Sequence, residues 1–116
     1  MALGCLAVAL LALAALGPAP LGAQQPRTFT ISGDRHAFSP ARIEVQKDDL
    51  VKIAFTASDM AHSLVIDNPY RIAKRAGAGQ TVVFEFRADQ AGTFPFYCNL
   101  TQDDRCRQMK GELIVK

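Results

Sequence analysis

The sequence predicts an all-β protein, an antiparallel β-sandwich of about seven short strands behind a cleavable apolar leader. Three observations lead there. Apolar residues from Thr28 onward alternate with period two, the spacing of a strand with one face in a core. Turn formers break the alternation at close intervals, at Gly33-Asp34, Lys47-Asp48-Asp49 and Asn68-Pro69. No stretch of this region carries the 3.6-residue period of a long amphipathic helix.

A length of 116 residues allows one domain. Residues 1–23 carry no charged side chain, and Cys5 to Leu16 is a continuous apolar run of 12. That run suits the core of a signal peptide and is short for a membrane span. Pro18, Pro20 and the small pair Gly22-Ala23 follow it, so cleavage is expected before Gln24. An uncleaved anchor is the rival reading, because no Lys or Arg precedes the apolar run. The expected organisation is a signal peptide, 1–23, and one domain, 24–116, exported to a periplasmic or extracellular space. No stable membrane span then remains.

Within the domain the strands follow in order. Thr28–Ser32 sets Phe29 and Ile31 against Thr28 and Thr30. Phe38-Ser39-Pro40 leads into Arg42–Gln46, with Ile43 and Val45 on one face. Leu50–Thr56 aligns Val51, Ile53 and Phe55, and His62–Ile66 puts Leu64 and Ile66 on the face of His62. Residues 67–79 show no strand pattern; Asn68-Pro69 and two glycines mark a loop, made basic by Arg71, Lys74 and Arg75. A solvated loop is the plainer reading, and docking of an acidic redox partner is the functional one. Thr81–Arg87 then points Val82, Phe84 and Phe86 inward, Thr93–Cys98 does the same with Phe94, Phe96 and Cys98, and Glu112–Lys116 closes the domain.

The formal net charge of +2 is too mild to suggest nucleic acid as a partner. No Ser/His/Asp set and no glycine-rich phosphate loop appears, and two histidines are too few for a multicopper enzyme. No enzyme is expected. What stands out is a gathering of soft and borderline donors. Cys98, Cys106 and Met109 lie on one loop after an aromatic strand, and His62 stands upstream. One imidazole, two thiolates and a thioether suit copper, above all Cu(I). Zinc is a minor alternative, since Met109 is a poor fourth ligand for it. His36, in Arg35-His36-Ala37, reads as a surface residue, and Asp59 and Asp103-Asp104 read as solvated turn residues.

The pattern Cys98-x7-Cys106-x2-Met109 with His62-Ser63 upstream resembles the metal loop of the cupredoxins. It is most similar to the binuclear-copper domain of cytochrome oxidase subunit two and nitrous oxide reductase. The likeness covers residues 27–116, and Phe38-Ser39-Pro40, Ile43-Glu44-Val45 and Asp49-Leu50-Val51 are similar to that family's opening strands. It implies a Greek-key sandwich with copper held by His62, Cys98, Cys106 and Met109. Those relatives read Cys-x3-Cys-x3-His-x2-Met. In this chain Gln102 stands where the second Cys would be, and Cys106 where the His would be.

Cys106 therefore has three readings. It is a second thiolate on one copper ion, or half of a disulfide with Cys98, or a bridging ligand in a binuclear centre. The third needs another nitrogen donor, and none is in view. In an oxidising compartment a disulfide is the plain fate of a cysteine pair. Two functions of different class follow. One is an exported one-electron or Cu(I) carrier that cycles between Cu(I) and Cu(II) and meets a redox partner or a copper donor or acceptor. The other is a metal-free structural or interaction module stapled by Cys98–Cys106. The leader can be tested directly: mass spectrometry of the exported product should find Gln24 at the N-terminus, and retention of Met1 or Ala2 on a membrane-bound product overturns it.

Overall fold

The computed structural model describes residues 25–116; the expected signal peptide, 1–23, lies outside them. Nine strands form: β1 (Arg27–Asp34), β2 (Ala37–Ser39), β3 (Arg42–Val45), β4 (Leu50–Ala57), β5 (His62–Ile66), β6 (Ile72–Ala76), β7 (Thr81–Arg87), β8 (Gly92–Tyr97) and β9 (Lys110–Val115). A single 3-10 turn, Cys106–Gln108, precedes β9. The strands make a four-stranded sheet, β2-β1-β4-β7, and a five-stranded sheet, β3-β9-β8-β5-β6. No helix among the described residues is long and apolar enough to cross a membrane.

This is the expected all-β sandwich, with the short β2 added to the expected strands and two larger differences. The sheets are mixed, because β1 runs parallel to β4 and β3 parallel to β9. After the β1–β2 pair the chain leaves the first sheet at Pro40, forms β3 at the edge of the second, and returns as β4 beside β1. A parallel pair needs such a crossover, and period two says nothing about strand direction. The second difference is β6, which lies inside the expected loop 67–79. It pairs antiparallel with β5 in the register His62↔Ala76 to Ile66↔Ile72. Its Lys74 and Arg75 broke the apolar alternation, yet charged residues are normal on an edge strand, where they discourage further pairing. The Lys74 ammonium sits 5.8 Å from the centre of the Phe84 ring on the other sheet, so its stem covers apolar surface.

The inner faces are those the alternation predicts. Ile31, Val51, Ile53, Phe55, Leu64, Phe96 and Leu113 are fully buried. Phe38 joins the layers, its ring 5.1 Å from that of Phe96 and 6.1 Å from that of Phe55. β5 is central and buried along its whole length, including His62 and Ser63. That is unusual for polar residues and marks the end of the sandwich where the donors gather.

Pairing of β8 with β9 sets that end. Phe96 stands opposite Gly111, and Tyr97 opposite Lys110. A Cβ on Gly111 would overlap the Phe96 ring and stand 2.8 Å from the carbonyl oxygen of Ala41, so the bare backbone is what lets this ring lie flat. Gly111→Ala should lower stability by about 3 kcal/mol, at the upper end of overpacking costs. Denaturant unfolding measures it; a loss below about 1 kcal/mol would show that the ring has room to move.

Candidate metal centre

Cys98 follows β8 directly, Cys106 opens the 3-10 turn, and Met109 ends it before β9. Because β8 and β9 are neighbours, the loop must leave and return at one place, and the Cys98 amide reaches the Met109 carbonyl at 3.4 Å. The Met109 amide donates to the Cys106 carbonyl at 3.0 Å, closing the turn. Cys98, Cys106, Met109 and His62 are each at least 98% buried, as their exposures are 0%, 2%, 1% and 0%. The two cysteines are joined as a disulfide with Cα atoms 5.2 Å apart, a normal spacing for one.

Both sulfurs also face hydrogen-bond donors. The Ser63 amide lies 3.3 Å from Cys98 Sγ, and the Leu100 amide lies 3.1 Å from Cys106 Sγ. Ser63 Oγ accepts from the Asn99 amide at 2.8 Å. Its single hydrogen has two acceptors in reach, Asn99 Oδ1 at 2.7 Å and Cys98 Sγ at 3.6 Å.

His62 is held from two sides. Its Nε2 lies 2.7 Å from Asp59 Oδ1. A carboxylate only accepts, so Nε2 carries the hydrogen, and in the neutral ring the lone pair is on Nδ1. That Nδ1 is buried and has no hydrogen-bond partner among the described residues. Gly33 packs closely on the ring: a Cβ there would stand 3.1 Å from His62 Cδ2, so the imidazole would have to shift by a few tenths of an ångström. Asp59 also receives the amides of Arg35 at 3.0 Å and Met60 at 2.8 Å. The His62 bond first, and these amides after it, bring the Asp59 carboxyl down from 3.8 to about 2. A lowered carboxyl favours the folded state above its unfolded value, so this contribution is present above 3.8 and lost as pH falls through about 2.

The second histidine departs from expectation. His36 is not a free surface residue. Its side chain is 17% exposed, and its Nε2 lies 2.6 Å from Asp103 Oδ2 on the cysteine loop. Its ring meets that of His62 edge-on at 6.0 Å. Arg35 and His36 both have positive φ, 50° and 60°, so the turn itself swings the imidazole over the loop. Asp59 and Asp103 are likewise not plain solvated turns; each orients a histidine. Asp103 is held below the usual carboxylate range first by the Arg105 amide and then by His36. Gln102, where the similar copper loops have a cysteine, instead donates to the Ala61 carbonyl at 3.4 Å, next to His62. The second imidazole, that of His36, is nearer to His62 than the sequence suggests, although among the described residues no group of three or more His, Cys, Asp or Glu is arranged to hold a metal ion.

The family profile of the cupredoxin-like domain matches residues 4–115. No curated protein matches by sequence. Solved structures share the fold at low identity. Auracyanin A of Chloroflexus aurantiacus, a blue copper protein, is 21% identical with a TM-score of 0.68, over 79% of this chain and 100% of that one. The periplasmic domain of cytochrome oxidase subunit II of Bradyrhizobium japonicum is 13% identical with a TM-score of 0.67, over 77% and 83%. A multicopper oxidase also matches, at 19% identity and a TM-score of 0.63, over 79% of this chain and 39% of that one. The fold is thus shared by a blue copper protein, a cytochrome oxidase subunit domain and a multicopper oxidase, and this chain belongs to the cupredoxin-like domain family.

Proposed function

We propose that this protein is an exported copper carrier that holds one copper ion through His62, Cys98, Cys106 and Met109. The observation that carries the reading is the orphaned Nδ1 of His62. A buried nitrogen lone pair without a partner is costly unless something accepts it. A carboxylate on the opposite ring nitrogen is the usual support of a metal-ligating histidine. The fit is complete only with the cysteines as thiolates, because a disulfide leaves just an imidazole and a thioether.

Copper there would supply one-electron exchange between Cu(I) and Cu(II), or be cargo as Cu(I). The protein's own part is to keep donors in place and water out. Asp59 and Gly33 fix the imidazole, the Ser63 and Leu100 amides face the sulfurs, and the buried end of the sandwich limits reorganisation between states. A redox protein, or a copper donor or acceptor, is the partner this implies. The basic segment Arg71, Lys74 and Arg75 suits an acidic face on it. A second reading rests on the Cys98–Cys106 disulfide, which makes this end a metal-free staple in a structural module.

Cys106→His tests the first reading. It gives two imidazoles, one thiolate and one thioether, the composition of a blue-copper site. Loaded with Cu(II), the variant should hold an intense visible band from the Cys98 thiolate, and adding Cys98→Ser should abolish it. A folded, colourless variant with a free Cys98 thiol favours the structural module. His62→Ala in the otherwise native, reduced protein should weaken Cu(I) binding by about 100-fold or more, since even outer partners of ligands are worth up to that much.

A further inference from the structure

We infer that Cys98–Cys106 is a working dithiol–disulfide couple that gates the metal site, closed as a disulfide and opened by an exported dithiol protein. This deepens the copper reading and rests on it. It makes the two states, staple and carrier, alternate forms of one site.

The argument starts from the donors aimed at sulfur. A disulfide sulfur is a weak acceptor, whereas a thiolate is anionic and gains from every N–H or O–H near it. Here each sulfur already faces an amide, at 3.3 Å for Cys98 and 3.1 Å for Cys106. The Ser63 hydroxyl can also turn from Asn99 Oδ1 to Cys98 Sγ once a charge appears there. The surroundings are therefore built for the reduced, charged form, although the oxidised form occupies them.

The order of attack follows. Both cysteines are buried, Cys98 at 0% and Cys106 at 2% exposure, but Cys106 sits on a single turn between exposed Arg105 and Arg107, so a local opening of that turn presents its sulfur first. An incoming thiolate bonds to Cys106 Sγ, and the Sγ–Sγ bond breaks with its electron pair going to Cys98. Cys98 has the Ser63 amide and hydroxyl to receive that charge, which makes it the better leaving group. The reductant's second thiolate then attacks its own sulfur in the mixed disulfide and releases Cys106 as thiolate, beside the Leu100 amide. Two electrons pass from the dithiol, which leaves as a disulfide. The two protons stay on the cysteines as thiols or are released when Cu(I) takes their place.

For a gate, the loop must keep its shape when the bridge opens. Four contacts hold it without the disulfide. They are Cys98 N to Met109 O, Met109 N to Cys106 O, His36 to Asp103, and Gln102 to the Ala61 carbonyl. His36 and Asp103 are in this sense positioning residues for Cys106.

The test uses the native protein without denaturant. Thiol alkylation and mass measurement across a series of dithiol/disulfide buffers should show a reversible two-thiol transition while the protein stays folded. Competition with a chromophoric Cu(I) chelator should show the reduced form binding one Cu(I) at least about 100-fold tighter than the oxidised form, with both thiols then protected from alkylation. Ser63→Ala should weaken Cu(I) binding of the reduced form by about 10-fold and shift the transition. Cys106→Ser should bind Cu(I) with an affinity that no longer depends on the buffer, which keeps the test open if Ser63→Ala fails to fold. A disulfide that reduces only on unfolding overturns the gate. So does equal, tight copper binding by both forms, although the copper reading survives that result. Reversible thiols with no copper binding by either form instead overturn the copper reading, and the metal gate falls with it.

Discussion

Everything at the donor end depends on the antiparallel pairing of β8 with β9. Once Tyr97 stands opposite Lys110, the intervening loop starts at Cys98 and ends at Met109 within one hydrogen bond of itself. Pleating fixes the rest. Phe94, Phe96 and Cys98 share one face, so a strand that buries Phe96 in the core also delivers the sulfur to the top of that core. β5 lies on the other side of β8, pairing Val65 with Tyr97, and the chain direction brings the start of β5 to the same end. Ser63 then meets Cys98, and His62 lies one residue away. The site needs no dedicated scaffold beyond the register of three adjacent strands.

Within that frame, carboxylates decide what the imidazoles can do. Asp59 reaches His62 across three residues, and Asp103 reaches His36 across 67. In each case an acceptor takes one ring nitrogen and thereby assigns the lone pair to the other. For His62 the assigned nitrogen is buried and has no hydrogen-bond partner among the described residues. The Asp59 carboxyl keeps this effect over a wide range, because its ionised form is favoured down to about 2. A ring turned over would give its Nδ1 hydrogen to Asp59 and put the lone pair on Nε2 instead, so the observed orientation is what makes Nδ1 the available donor.

The sandwich and its inner faces were legible because burial on one face imposes period two, and turn residues bound each run. β6 was not, since an edge strand is allowed to be charged and Lys74 and Arg75 hide the alternation. The parallel pairs were not either, for alternation has no direction. At the site, Cys98, Cys106, Met109 and His62 were visible through donor chemistry and spacing. Asp59 could have been found as an acid three residues ahead of His62, within reach of its ring across a tight turn. His36 and Asp103 left no such mark: their contact depends on a left-handed turn at Arg35-His36 and on a loop 67 residues away. Gly33 reads as a turn glycine in sequence, whereas in the structure it packs closely against the His62 ring.

In the proposed copper site, Cys106 stands where the similar copper loops have an imidazole, and that shifts the balance between holding metal and holding shape. Two thiolates favour Cu(I) over Cu(II), and two thiols side by side favour oxidation to a disulfide wherever exported proteins reside. The bridge closes a short loop, with a sequence separation of 8. In the chain-entropy account a loop of that size is worth ~2.5 kcal/mol at most. The loop is also fixed by backbone bonds and by His36–Asp103, so opening the bridge need not take other native contacts with it and the loss stays near that figure. A domain with ordinary stability of about 5–15 kcal/mol tolerates that loss and stays folded. A long-range staple would make reduction and unfolding one event. A short bridge inside a loop that is held by other means separates them, and that separation is the physical condition for a cysteine pair to exchange thiols in a folded protein.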